Sequence, residues 1–279
     1  MLEDLPFTAQ EQRREAATRA AKMSIQGVQP KLSVKLSVKD QRFEVVSQGG
    51  TFILKPPSDI FPQVPENEDL TMKMAAVYGI EVPLTGLVYA KDGSFSYFIK
   101  RFDRYGRNKK LPLEDFAQLT GNTRHTKYNW AMEKLLPVIE AHCTFPMLEK
   151  QKLFRRVLFC FVTGNEDMHL KNFSLITRNN KVELSPGYDF LNTTIAVGGV
   201  QEELALPLAG KKRKISQELL FNYYGKERMG LSDKTLVAEG QNLENKRTVL
   251  ESLIGISFLN AEMKDRYLGL LAERYNRLH

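Results

Sequence analysis

Residues 164–173 read Gly-Asn-Glu-Asp-Met-His-Leu-Lys-Asn-Phe, a polar stretch between two segments of regular periodicity. The preceding segment, residues 147–162, repeats apolar residues with a helical period and is nearly apolar all round, so we expect a helix central to its domain. The following residues, 173–177, are extended in pattern, and a second extended piece follows at 182–184. The stretch therefore predicts a helix, a loop rich in carboxylate and amide side chains, and a short strand.

The spacing of polar groups in this loop points to phosphate chemistry. Asp167 and Asn172 have the separation of the Asp and Asn in the catalytic loop of protein kinases. Asp189, in Tyr188-Asp189-Phe190, supplies a second carboxylate. Phosphoryl transfer needs one carboxylate to align the nucleophile and hard oxygen ligands to hold magnesium. The alternative is that these are ordinary loop residues, chosen because Asp and Asn satisfy local backbone donors.

The amino-terminal part of the chain has the pattern of an antiparallel sheet. Residues 31–38 alternate strictly and place Leu32, Val34, Leu36 and Val38 on one face of a half-buried strand. Further extended runs follow at 42–46, 51–55, 84–90 and 95–102, the last two forming a hairpin. A helix is expected at 66–78, between the third and fourth of these strands.

The character of the sequence changes after Arg104. Residues 105–110 are polar and basic, and helical periods dominate beyond them. We therefore expect an α+β protein with a β-rich lobe at 1–104 and a mainly helical lobe at 105–279. Besides the central helix, the expected helices are at 130–141, 216–224, 232–253 and 258–275.

Composition excludes several classes of protein. The 279 residues are 42% hydrophobic and 26% charged, with a formal net charge of +7, which suits an anionic partner. Two cysteines cannot form a disulfide framework or a structural zinc site. No apolar run approaches the length that spans a bilayer, and residues 1–15 lack the apolar core of a signal peptide. We expect a soluble, cytoplasmic protein that does not associate with a membrane.

Two further features could contact phosphate. Lys55 ends the third predicted strand, where kinases place the lysine that contacts the α- and β-phosphates, and Glu68 is a better candidate partner for it than Glu66. Residues 24–31, Ser-Ile-Gln-Gly-Val-Gln-Pro-Lys, match no Walker or G-x-G-x-x-G pattern but could offer phosphate donors. Considered alone, a lysine at the end of a strand is more often solvated than functional. A stretch such as residues 24–31 is, by itself, more often an ordinary loop.

Several motifs in order resemble the HipA family of bacterial serine/threonine kinase toxins. They are residues 24–31, Phe-Ile-Leu-Lys-Pro at 52–56, Tyr-Phe-Ile-Lys-Arg-Phe-Asp-Arg at 97–104, Leu-Glu-Asp-Phe-Ala-Gln-Leu at 113–119, the loop at 164–174, Pro-Gly-Tyr-Asp-Phe at 186–190 and Leu-Ala-Leu-Pro-Leu-Ala-Gly-Lys-Lys at 204–212.

The resemblance implies an atypical two-lobed, kinase-like fold, ATP and Mg²⁺ as cosubstrates, and aminoacyl-tRNA synthetases as protein substrates. Asp167 would be the catalytic base, and Asn172 and Asp189 the metal ligands. The resemblance also implies that Ser24 is autophosphorylated and that this inactivates the enzyme. The remaining residues implied to lie at the nucleotide are Lys55, Gly27, Gln29, His169, and Lys100 and Phe102 of the segment that joins the lobes.

Few residues precede the stretch at 24–31, so we expect the chain to differ from full-length HipA by lacking the family's amino-terminal subdomain. In this respect it resembles the truncated HipT toxins of HipBST systems. That likeness implies a HipS-like small protein and a HipB-like, DNA-binding antitoxin as partners, with DNA contacted only through the antitoxin. HipT loops can carry a second phosphorylatable serine, but Gln26 stands at that position here.

Two rival functions remain open from the sequence. One is a non-catalytic module with a kinase-like fold that binds nucleic acid or an antitoxin, supported by the net charge and by basic clusters such as 211–214. The other is a kinase acting on a lipid or a small molecule. The presence of Lys55, Asp167, Asn172 and Asp189 together argues against a decayed site.

Overall fold

The computed structural model describes residues 2–20, 30–106, 109–198 and 202–278. The chain divides into two compact units, one comprising Met1–Leu70 and Pro83–Lys110 and the other Thr71–Val82 and Leu111–His279. The functional division after Arg104 that the sequence suggests stays a prediction. Ser24, Gly27 and Gln29, the expected phosphate-contacting residues, lie outside the described residues.

The first unit is built on a five-stranded antiparallel sheet in the order β2-β1-β3-β5-β4. The first strand pairs with both neighbours, with Val34 opposite Val45 and Leu32 opposite Leu54. Five strands were expected, and all five are present. Their bounds are β1 Leu32–Ser37, β2 Arg42–Val45, β3 Phe52–Lys55, β4 Thr85–Tyr89 and β5 Phe95–Lys100.

One face of this sheet carries the core of the first unit, which includes Leu32, Val34, Phe43 and Phe52. The Phe43 and Phe52 rings meet edge to face at a centroid distance of 5.2 Å, a favourable aromatic geometry. The expectation for β1 was only half right, because Val38 is 80% exposed beyond the end of the strand. Burial in β1 is confined to Leu32–Val34, the residues that pair with β3.

A helix at Ala9–Ala20, α1, was not predicted from the sequence. It covers the sheet with small or polar side chains, namely Ala9, Gln12 and Ala16, which are buried at helical spacing. Gln12 accepts a hydrogen bond of 2.9 Å from the buried Ser96 hydroxyl. Such a helix has little hydrophobic periodicity for sequence reasoning to detect.

Helix α2 covers Val64–Tyr78, close to the expected 66–78. Three short strands follow β5, namely β6 at Arg104–Tyr105, β7 at Lys109–Lys110 and β8 at Leu113–Asp115. A two-stranded sheet contains β6 and β7, while β8 joins a three-stranded sheet in the order β10-β9-β8. The later strands of that sheet are β9 at Ser174–Arg178 and β10 at Lys181–Leu184.

The second unit is mainly helical, which confirms the predicted α+β class. The expected central helix forms as α5, and its residues from Val157 to Val162 are all buried. The helix expected from residue 130 begins later, with a 3₁₀ turn at Met132–Lys134, and the segment expected as a helix at 216–224 is a π-helix at Glu218–Arg228. The α-helices are α3 Phe116–Leu119, α4 Leu135–His142, α5 Pro146–Val162, α6 Thr193–Val197, α7 Asp233–Ile256 and α8 Ala261–Asn276. Within the described residues, each helix is too short or too polar to cross a bilayer.

Candidate active site

The loop at 165–173 begins where α5 ends in a glycine with a left-handed backbone. Gly164 has φ +65°, and a Cβ added there would lie 2.4 Å from the Leu270 side chain. Its carbonyl accepts hydrogen bonds from the Thr193 hydroxyl at 3.1 Å and from the Thr194 amide at 3.3 Å. Glycine adopts this φ without strain, and it has no Cβ to clash with the Leu270 side chain. Gly164 therefore sets the direction in which the chain leaves α5.

The far end of the loop is tied to β8 and α3. Asp115 caps α3 through a reciprocal capping box with Gln118, and its other carboxylate oxygen accepts a 2.7 Å hydrogen bond from Lys171 Nζ. The Leu113–Leu119 motif therefore has a structural role, since one carboxylate starts a helix and also anchors the candidate catalytic loop.

Asp167, the expected base, lies in the middle of this loop with a side chain that is 49% exposed. Its backbone amide donates to Asn165 Oδ1 at 3.2 Å. Its carboxylate Oδ1 accepts a hydrogen bond from the hydroxyl of Tyr128. Among the described residues Oδ2 accepts none, so one oxygen is held and the other is open to an incoming hydroxyl.

Asn172, an expected metal ligand, is oriented by the same loop. Its Nδ2 donates to the carbonyl oxygen of Asp167 at 2.8 Å. This bond fixes which end of the amide is the acceptor, and no described residue donates to Oδ1. The bond also closes the loop across the two residues whose spacing suggested phosphate chemistry.

Asp189, the second expected metal ligand, has a left-handed backbone with φ +56°, which an Asp tolerates better than most residues. Both neighbours hold it there. The Tyr188 hydroxyl donates to the Lys171 carbonyl at 3.0 Å, and the Phe190 ring packs edge to face on Phe159 at 5.4 Å. The loop at 165–173 and the segment around Asp189 are thus joined directly.

His169 lies within the electrostatic reach of both carboxylates. Its Nε2 is 2.6 Å from Lys127 Nζ and 3.9 Å from Asp167 Oδ1. Burial lowers the pKa of His169, and the charge of Lys127 lowers it further, while Asp167 and Asp189 oppose the shift. The Nδ1 atom also faces the Lys171 amide at 3.3 Å. The Lys171 amide is the donor in this contact, so Nδ1 accepts the hydrogen bond and caps the short turn that follows.

The chemistry of Asn172 and Asp189 fits magnesium. Both offer hard oxygen atoms, and Mg²⁺ is commonly held by one or two such side chains together with water and substrate phosphates. The described residues contain no cluster of three or more His, Cys, Asp and Glu that could hold a metal by itself. Two protein ligands leave coordination positions that water and substrate phosphates can fill.

The first unit contains the expected lysine and its partner. Lys55 is only 2% exposed at the end of β3, and its Nζ forms an ion pair with Glu68 Oε1 in α2. The Tyr97 ring lies 5.4 Å from the same ammonium group. The solvated-lysine interpretation of Lys55 is therefore wrong, and Glu68 is the carboxylate that meets it.

The segment with Lys100 and Phe102, which the resemblance implies to lie at the nucleotide and to meet adenine through its backbone, already forms hydrogen bonds with the sheet. The amide of Lys100 donates to Leu84 O, and that of Arg101 donates to Thr51 O, each at 2.8 Å. A contact between adenine and either amide would compete with these bonds. The roles of Lys100 and Phe102 stay predictions.

Glu166, next to Asp167, was not singled out by sequence reasoning. Its carboxylate is buried, accepts a 2.8 Å hydrogen bond from Thr194, and lies 3.8 Å from Arg274 Nη2 of α8. Burial raises the pKa of Glu166 to about 7, against the opposing effects of the Thr194 hydrogen bond and of Arg274. A buried pair formed across more than a hundred residues of sequence leaves no local pattern.

Lys127 and Tyr128 were also missed. They belong to a polar segment without periodicity, yet both contact the loop that carries Asp167. The dipeptide itself carries no chemical signature, so only the fold shows that it lies at the site.

The fold and this loop together define a protein of the kinase-like class. The HipA-like C-terminal domain model matches residues 23–249, and the chain belongs to this family. A Haemophilus influenzae protein named "Putative kinase" is 34% identical over 210 residues, which are 68% of this chain and 59% of that protein. The serine/threonine-protein kinase toxin HipA of Shewanella oneidensis is 28% identical over 191 residues, covering 61% of this chain and 43% of the toxin. The chain thus spans about half the length of the curated relatives it matches.

Solved structures confirm the fold. The Shewanella oneidensis HipA chain, solved in a complex of HipA, HipB and operator DNA, matches with a TM-score of 0.76 and 22% identity, over 98% of this chain and 71% of that chain. The Helicobacter pylori proinflammatory kinase CtkA matches with a TM-score of 0.58 and 16% identity, over 81% of this chain and 86% of that one. The expected HipA-like architecture is therefore confirmed.

Proposed function

We propose that the chain is an ATP-dependent serine/threonine protein kinase and the toxin of a toxin–antitoxin system. The observation that carries this proposal is the arrangement of the loop at 165–173. Among the residues that the structure describes, Asp167 Oδ2 accepts no hydrogen bond, the Asn172 amide donates to the Asp167 carbonyl, and Asp189 is joined to the same loop through Tyr188. A half-exposed carboxylate beside hard oxygen ligands is the set that phosphoryl transfer requires.

In the proposed reaction Asp167 Oδ2 accepts the hydrogen bond of a serine hydroxyl and takes its proton as the bond from serine Oγ to the γ-phosphorus forms. The bond from that phosphorus to the β,γ-bridging oxygen breaks, and ADP leaves. Magnesium held by Asn172 and Asp189 would neutralise charge on the phosphates. Lys55, which pairs with Glu68, is the proposed phosphate-contacting lysine, and His169 is proposed to contact the nucleotide. Most of the catalysis is positioning and electrostatics.

The finer parts of the proposal rest on the family. We propose an aminoacyl-tRNA synthetase as the substrate, whose phosphorylation inhibits translation and growth in the cytoplasm. A HipB-like antitoxin is the proposed partner, and DNA is contacted through it, in keeping with the HipA–HipB–DNA neighbour. Assignment to the HipT type, with a HipS-like partner, belongs to the same proposal.

Ser24 is proposed as the site of self-inactivation. A phosphate there adds roughly −1.5 to −2 charge, which would repel the ATP phosphates if the residue lies near them. ATP binding by a Ser24→Asp variant as tight as that of the unmodified chain would contradict this part alone.

The toxin function is tested by expression in bacteria. The wild-type chain is expected to arrest growth and to produce a new phosphoserine on a protein other than itself, as found by mass spectrometry of the lysate. An Asp167→Ala variant, expressed at the same level, is expected to do neither. Equal growth of the two cultures would contradict the toxin function.

A further inference from the structure

A segment of the second unit outside the family motifs touches the candidate catalytic loop through two adjacent residues. The Tyr128 hydroxyl donates to Asp167 Oδ1, and the Tyr128 ring meets the His169 ring edge to face at 4.9 Å. The carbonyl of Lys127 accepts a hydrogen bond from the Leu170 amide at 3.4 Å. The ammonium nitrogen of Lys127 is 2.6 Å from His169 Nε2. The contact is therefore made by both backbone and side chains.

We propose that Tyr128 is the positioning residue of the catalytic carboxylate: its hydrogen bond to Oδ1 turns Asp167 so that Oδ2 faces the substrate hydroxyl. This inference deepens the proposed kinase function and rests on it. The carboxylate torsion of an Asp is broad and nearly two-fold, so the side chain of Asp167, which is half exposed, needs an external contact to hold one orientation. Among the described residues, the Tyr128 hydroxyl is the hydrogen-bond donor to this carboxylate.

Tyr128 suits this role because its hydroxyl stays a donor. Burial and the hydrogen bond to Asp167 raise the pKa of the Tyr128 phenol, so it keeps its proton at any physiological pH. The ring is in turn held by the His169 edge contact and by Lys127, whose ammonium group is 4.8 Å from the Tyr128 ring centroid. The hydroxyl thus approaches Asp167 from a fixed direction.

A different interpretation is that the Tyr128 hydroxyl occupies the place of the substrate and inhibits the enzyme. The open Oδ2 atom disfavours it, since an incoming hydroxyl can bind there while Tyr128 stays on Oδ1. The two interpretations predict opposite effects of removing the hydroxyl, because a positioning group supports transfer and a competitor limits it.

The test is Tyr128→Phe, which keeps the ring and removes the hydroxyl. Transfer from γ-labelled ATP to the acceptor protein of a bacterial extract is measured at varied ATP concentrations. A hydrogen bond to a charged group is worth about 1.5–3 kcal/mol, so kcat is expected to fall about ten- to a hundredfold. The KM for ATP and the melting temperature are expected to be unchanged, which a merely structural role would not predict.

The matched control is Tyr223→Phe, because the Tyr223 hydroxyl also donates to a carboxylate, that of Glu133 at 3.0 Å, in the same unit. Its kcat is expected to equal that of the wild type. An unchanged or increased kcat for Tyr128→Phe overturns the positioning role, and an increase identifies the hydroxyl as a competitor. Absence of transfer by the wild-type chain would instead refute the kinase function, and this inference with it.

Discussion

At the scale of the residue, the groups that sequence reasoning selected are those whose chemistry is local. Asp167 and Asn172 are five positions apart and are joined by one hydrogen bond. Their spacing in the sequence was therefore enough to predict that they lie together. The pairing of Lys55 with Glu68 could be inferred because a strand end and the following helix are close in sequence. Tyr128 and the Glu166–Arg274 pair could not be inferred, since the fold alone brings these residues to the loop.

Ionisation of Glu166 is expected to lower the free energy of unfolding of the second unit as pH rises. Its pKa is raised by burial from the unfolded value of 4.5 to about 7, so the native state binds the proton more tightly than the unfolded state. The contribution is complete below about pH 4.5 and is lost as pH rises through about 7. Glutamine mimics the protonated form, so Glu166→Gln is expected to raise the unfolding free energy at pH 8 by about 1–3 kcal/mol, and much less at pH 5.

Urea unfolding at the two pH values measures this difference. Glu81→Gln is the control, because the hydrogen bond from Arg178 lowers the pKa of Glu81, and that variant is expected to gain nothing at pH 8. A Glu166→Gln variant whose stability follows that of the wild type at both pH values would show that the Glu166 carboxyl group carries no such proton linkage.

At the scale of the element, the strands and long helices were predictable because each has a clear apolar period. The five strands of the first sheet and α5 lie close to where alternation and helical spacing put them. Helix α1 was missed because its buried face consists of alanine and glutamine. The short strands β6, β7 and β8 were missed because two or three residues are too few to show a period.

The junction between α5 and the catalytic loop depends on Gly164. An alanine there would adopt an unfavourable φ, and its Cβ would lie 2.4 Å from Leu270 and 2.8 Å from the Thr194 hydroxyl. Left-handed strain and overpacking together predict a loss of about 2–4 kcal/mol of unfolding free energy for Gly164→Ala. Chemical denaturation of the purified variant provides the measurement.

Gly230→Ala is the matched comparison, since Gly230 also has a positive φ, of +73°, but a Cβ there would meet nothing within 4 Å. We expect it to cost about 1–2 kcal/mol, the strain alone. Equal losses for the two alanine variants would mean that the close approach of α8 to Gly164 does not constrain the loop.

At the scale of the whole molecule, the family and the kinase-like fold are established, and the reaction is the part that requires an experiment. The net charge of +7 first suggested an anionic partner. ATP and the proposed antitoxin–DNA assembly are both consistent with it, so the charge does not separate a kinase from its rivals. The products of the reaction distinguish a protein kinase from these rivals.

The most direct measurement incubates the purified chain with γ-labelled ATP, Mg²⁺ and a bacterial extract, beside an Asp167→Ala variant that still binds ATP. The account predicts label on serine of a protein acceptor with the wild-type chain, and labelling that is about a hundredfold to ten-thousandfold slower with the variant. Label appearing only in a small-molecule or lipid product, no label at all, or equal labelling by the two proteins would contradict it.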